Sequence, residues 1–134
     1  MIAVDTNVLV RYVTNDDVAQ GVQAMKTLND PQGVFISKTV MLELEWVLRS
    51  VFRSSRESIQ TAMLMIVGLP SITLENPEQI AIAIDYHRQG FDFADALHYA
   101  SSQATAGFHT FDSQFAKRGR KLGLDVHEIA VSNH

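Results

Sequence analysis

Apolar and polar positions alternate along this chain in short blocks that predict strands and helices in succession. Ile2 to Val4 is an apolar run ended by Asp5 and predicts a buried strand. Thr6 to Val13 predicts a first helix. Asp16 and Asp17 open a second, with Val18, Val22, Met25 and Leu28 at helical spacing. Asp30-Pro31-Gln32-Gly33 marks a turn, and Val34 to Ser37 predicts a second strand. From Thr39 to about Phe52 the spacing is again helical, with Val40, Leu44, Val47, Leu48 and Val51 as the apolar stripe. Ser54 and Glu57 have the spacing of a capping box, so the next helix is expected to begin there and run through Ile59 to Val67. Gly68 and Pro70 end it, and Ile72 to Leu74 predicts a third strand.

The second half repeats the alternation. Asn76-Pro77 is a helix start, cap followed by first-turn proline. That helix is expected to reach Gln89, with Gly90 as the residue that terminates it. Phe93 to Thr105, rich in alanine, predicts another helix, and Gly107 to Phe111 a fourth strand. Ser113 to Leu122 is helical and closes at Gly123. Leu124 to Ile129 predicts an edge strand. Strands alternating with helices from end to end imply an α/β fold: a mainly parallel sheet of four to five strands, sandwiched by helices in three layers. With 134 residues, no repeat and no linker, one domain spanning 1–134 is expected. In such folds the ligand crevice lies outside the carboxyl ends of the strands.

Composition narrows the chemistry. At 46% hydrophobic residues and 19% charged, the chain can bury a core. It has no cysteine, which excludes disulfides and thiolate metal sites. Its start, Met1-Ile2-Ala3-Val4-Asp5, lacks the basic opening of a signal peptide. No apolar stretch nears the roughly 20 residues of a membrane span. A soluble, cytoplasmic protein without membrane contact is therefore expected. The formal net charge of −4 argues mildly against a polyanionic partner. The basic residues are clustered, however: Arg49, Arg53 and Arg56 in one region, Lys117, Arg118, Arg120 and Lys121 in another. Each cluster reads as a solvated helix face or as a track for a polyanion, with Arg49, Arg53, Lys117 and Arg118 the candidates.

Acidic residues carry the sharper signal. Asp5 follows the first strand and Asp112 the fourth, so a parallel sheet places both on one edge. Asp95 falls in the first turn of the alanine-rich helix. Singly, each is explained as a helix cap or a first-turn acid. Glu43 differs: its helical neighbours Val40, Trp46 and Val47 are apolar, which places it along a largely buried stripe. A carboxylate there needs a partner or a cation. Glu45, by contrast, has Arg49 four residues on and reads as an ordinary exposed pair. Converging carboxylates must share protons or bind hard cations, and oxygen-only ligands suit Mg²⁺ or Mn²⁺. One or two such ions clamp a phosphodiester, so the chemistry supported is phosphate-ester hydrolysis.

The motifs around these acids resemble those of PIN domains. Ile2-Ala3-Val4-Asp5-Thr6-Asn7-Val8-Leu9-Val10 is similar to the family's opening motif. Val40-Met41-Leu42-Glu43-Leu44 resembles the second, Asp92-Phe93-Ala94-Asp95-Ala96-Leu97 the third, and His109-Thr110-Phe111-Asp112 the fourth. The likeness covers essentially the whole chain, with all four acids present. It implies a divalent-metal-dependent endoribonuclease, and at this length a VapC-like toxin of a toxin–antitoxin pair. In that reading Asp5, Glu43, Asp95 and Asp112 are the catalytic and metal-holding residues, and the cofactor is Mg²⁺ or Mn²⁺. RNA is the substrate, a small antitoxin protein the inhibitor and a second copy the dimer partner. Asp92 reads as a helix cap. Thr6, Asn7 and Thr110 stand where they would position substrate, although Thr6 also reads as a plain first-turn residue and Thr110 as a strand position. Trp46 reads as packing in the core or a dimer interface.

Two rivals differ in class. A receiver-like Mg²⁺-binding signalling domain would carry an acidic pair after the first strand and a lysine after the last, and Asp5-Thr6 and the lysine-free stretch from Leu124 to His134 supply neither. A catalytically silent binding module would use the acidic groove only to receive a partner's basic tail. Metal-dependent turnover separates it from the enzyme.

Overall fold

A computed structural model describes residues 1–132. The elements run β1 (Ile2–Ala3), α1 (Thr6–Thr14), α2 (Val18–Leu28), β2 (Val34–Ile36), α3 (Lys38–Ser50), α4 (Arg56–Val67), β3 (Ile72–Leu74), α5 (Pro77–Arg88), α6 (Phe93–Ala100), β4 (Phe108–Thr110), α7 (Ser113–Lys121) and β5 (Val126–Glu128). The α/β architecture of parallel strands covered by helices is as expected. The five strands form two hydrogen-bonded groups, β1-β2-β3 and β4-β5, and every pair is parallel. Val34 and Ile36 of the central strand are fully buried.

Four strands lead directly into helices, and the junction residue caps each one. Asp5 accepts from Val8 N, Ser37 from Val40 N, Asn76 from Gln79 N and Asp112 from Phe115 N. Because paired strands run parallel, these capped N-termini collect at the carboxyl ends of their ladders. The unpaired amide groups there favour negative charge. Asn76 holds φ +48 and Gly90, which ends α5, φ +107. The latter is a backbone conformation that glycine adopts without steric cost.

Two cores result. Leu9, Leu28, Ile36, Met41, Leu44, Met63, Ile66 and Ile80 fill the first with aliphatic side chains. The second is a closed ring of aromatics: Tyr86–Phe91 at 5.6 Å, Phe91–Phe115 at 5.9 Å, Phe115–Phe108 at 5.6 Å, Phe108–Tyr99 at 6.3 Å and Tyr99–Tyr86 at 6.1 Å. It joins α5 and α6 to β4 and α7.

Several local expectations are corrected. On α2 the buried residues are Gly21, Ala24 and Leu28, while Val18, Val22 and Met25 are exposed. The small residues face inward so that the helix can approach α1 closely, as the Cβ-less Gly21 beside the Arg11 carbonyl shows. The cap of α4 is Ser55 rather than Ser54, its Oγ accepting from Ser58 N at 3.1 Å. Helix α6 stops at Ala100, well short of Thr105, and its end is tied down by Ser102 Oγ donating to His98 O. No helix among the described residues is long and apolar enough to cross a membrane.

Candidate active site

Asp5 and Asp112 stand two residues beyond β1 and β4 and cap the helices that follow. Each uses one carboxylate oxygen: Asp5 Oδ1 accepts from Val8 N at 3.4 Å, and Asp112 Oδ1 from Phe115 N at 3.0 Å. Each Oδ2 makes no hydrogen bond. Asp112 is further fixed by its own amide, which donates to Thr110 Oγ1 at 3.0 Å. Capping and a chemical role therefore coexist at these positions.

Asp95 lies in the first turn of α6, its amide donating to the Asp92 carboxylate at 2.9 Å. Its own carboxyl has no hydrogen-bond partner among the described residues. Burial raises its pKa, and the nearby charges of Asp92 and Asp112 raise it further, with His98 acting the other way. Asp95, Asp92 and Asp112 thus feel one another, a surplus of like charge that a cation would relieve.

The loop that presents Asp92 is held from two sides by arginines. Arg56 Nη1 donates to the carbonyls of His87 and Phe91 at 2.8 and 2.9 Å, and Arg118 Nη1 donates to Gly90 O. These side chains, expected on solvated or RNA-tracking faces, brace the α5–α6 link. Arg53 and Lys117 are exposed and make no hydrogen bond or ion pair among the described residues. His87, beneath the loop, is 2% exposed, and its Nδ1 lies 2.6 Å from Gln60 Nε2. Burial first, then the positive charge of Arg56, lower its pKa to about 4.

The α3 helix reverses the expected pair of glutamates. Its buried face is Met41, Leu44, Glu45 and Leu48: Leu44 and Leu48 lie inside as the stripe expected, while Val40 and Val47 are half-buried and Val51 is exposed. Glu45 is 3% exposed and bonded to Arg49, Nε to Oε2 at 2.9 Å. Asp92 adds to the field that holds Arg49 protonated. Glu43 is exposed, without hydrogen bond or ion pair among the described residues, and lines an open groove together with Ala94, the residue before Asp95. Trp46 is 53% exposed in the same groove rather than packed in the core. Each helical residue turns by about 100°, so Glu43 and Glu45 point to nearly opposite sides of the helix, and when one faces the core the other faces solvent.

Thr6 is buried in the first turn of α1. Asn7 lines a separate groove between α1 and α2, alongside Arg11 and Gln20. Asp5 stands beyond β1 as the cap of α1. Among the described residues, no group of three or more His, Asp or Glu side chains is already arranged to hold a metal ion. The structure therefore unites Asp95, Asp112 and Asp92 electrostatically. It sets Glu43 in one groove with Ala94 at the start of α6 and holds Asp5 beyond β1 as the cap of α1.

A family model described as PIN domain matches residues 2–121. Among solved structures, the chain is similar to VapC20 of Mycobacterium tuberculosis, described as a toxin cleaving the sarcin-ricin loop. The two are 17% identical over 89% of this chain and 95% of that one, with a TM-score of 0.44. That identity and score are too low for the likeness to carry a functional inference. No curated protein matches the sequence.

Proposed function

This chain belongs to the PIN-domain family, and from that premise we propose that it is a divalent-metal-dependent endoribonuclease, the toxin of a toxin–antitoxin pair. The observation that carries the reading is the crowding at Asp95, whose partly buried carboxyl is pressed by both Asp92 and Asp112 and only partly relieved by His98. The donor set fits Mg²⁺ or Mn²⁺. It is all carboxylate, with free oxygens on Asp5, Glu43, Asp95 and Asp112, and it contains no thiolate to prefer a softer ion. Those four residues would hold the cation. When bound, such an ion neutralises phosphodiester charge and eases deprotonation of water.

The protein's own contribution is placement. The caps at Asp5 and Asp112 fix one oxygen of each carboxylate and leave the other free. Thr110 orients the turn into Asp112, and Asp92 sets the first turn of α6. Arg56 and Arg118 hold the α5–α6 link in place. RNA is the substrate, a second copy the dimer partner, and a small antitoxin the inhibitor.

The test is cleavage of a mixed RNA pool with Mg²⁺, Mn²⁺ or EDTA, by the parent and by Asp5→Asn. Asparagine caps a helix as well as aspartate does, so the substitution removes charge and keeps the fold. Metal-dependent cleavage absent from Asp5→Asn is expected. Equal cleavage by the variant removes Asp5 from the site, and no cleavage by folded parent protein points to the acidic groove as a binding surface without turnover.

A further inference from the structure

Trp46 lies one turn beyond Glu43 on α3 and is 53% exposed. It lines an open groove of about 450 Å³ with Thr39, Leu42, Glu43, Ala94 and the Glu45–Arg49 ion pair. Large aromatic side chains are highly buried on average. Among the described residues only two aromatics, Trp46 and Phe111, are strongly exposed, and each lies within three positions of a candidate acid, Glu43 or Asp112. The groove thus combines a flat apolar face, the guanidinium of Arg49 with half its side chain exposed, and a carboxylate assigned to the reaction.

We propose that this groove is a nucleobase subsite, in which an unstacked base of single-stranded RNA lies on the Trp46 indole beside the bond to be cut. The inference rests on the ribonuclease reading and adds to it where the strand lies. A single strand offers a flat π-face to the indole, and stacking of this kind tolerates any base. Arg49 can attract the adjoining phosphate or stack in turn. A second copy of the chain fits the groove less well. Covering it with protein would bury Glu43, which has no partner, at the cost of an unpaired buried charge.

Trp46 is the only tryptophan in the chain, so its emission reports directly on the site. The Asp5→Asn protein is titrated with a mixed-sequence single-stranded RNA and with an abasic ribose-phosphate chain of equal length. Tryptophan emission and RNA anisotropy are both followed. The RNA is expected to quench emission while the abasic chain does not. Trp46→Ala in the same background is expected to weaken RNA binding about 5- to 150-fold, and Trp46→Phe to restore most of it. Binding seen by anisotropy without quenching, and unaffected by Trp46→Ala, overturns the subsite and leaves the ribonuclease reading standing. Absence of any RNA binding overturns both. A Trp46→Ala protein of smaller mass in sedimentation, with unchanged RNA affinity, assigns the face to a second copy and overturns the subsite.

Discussion

The three-stranded and two-stranded groups of this molecule solve the same packing problem with different side chains. Around β1, β2 and β3 the core is aliphatic, and β2 is buried at Val34 and Ile36. Around β4 and β5 the core is a ring of five aromatics shared with α5 and α6. Aliphatic chains fill space without regard to direction, whereas aromatic rings set the angles at which their elements meet. The candidate site draws on both groups: Asp5 and Glu43 belong to the first, Asp112 to the second, and Asp95 to α6 at the seam. Its geometry therefore depends on how firmly the two are joined, and the arginine clamps on the α5–α6 link lie at that junction.

The largest effect is expected from removing one acid on either side of the seam. Glu43→Gln and Asp112→Asn should each lower RNA cleavage by about a hundredfold or more. Single-turnover rates check this, and near-parental activity in either variant would confine the site to one group of strands. Next in size is the core itself. Phe115→Ala should cost about 3–5 kcal/mol and Leu44→Ala about 2–5 kcal/mol in urea unfolding. Hydrogen exchange sharpens the contrast: the Phe115 variant should lose protection first in β4, α7 and β5. Simultaneous loss in β1 to β3 would mean that the two groups unfold as one.

A smaller effect comes from His87 at the seam. Its pKa is lowered to about 4 in the fold against 6.5 in the open chain, so the unfolded state takes up a proton first as pH falls. Stability from this group is intact above about pH 6.5 and declines towards pH 4, with a loss of about 2 kcal/mol between pH 7.5 and 5. Urea midpoints at the two pH values measure it, and His87→Asn should flatten the slope; an unchanged slope would assign the acid sensitivity elsewhere. The smallest is Asn76→Ala at the start of α5, about 1 kcal/mol through loss of the cap, visible as a lower midpoint without change in cleavage.

The alternation of elements was legible because each strand is a short apolar run and each helix carries its own cap. Asp5, Asn76-Pro77, Asp112 and Gly90 mark boundaries by local chemistry alone. The phase of a helix was less legible. On α3 the valines at 40, 47 and 51 suggested one stripe, but burial is decided by which face meets a neighbour, and Glu45 goes inside because Arg49 can follow it. The aromatic ring and the arginine clamps were beyond reach, since their members lie far apart in the chain.

By itself, then, the sequence determined the order of elements, the class of fold and the places of Asp5 and Asp112 after strands and of Asp95 in a first helical turn, because these rest on interactions within a few residues. The tertiary structure alone decided that Glu43 faces the groove and Glu45 the core, that Trp46 stands open beside the acids, and that Asp92 and Asp112 press on Asp95. Those outcomes depend on distances between segments, which the fold sets when it chooses one packing for the two groups of strands.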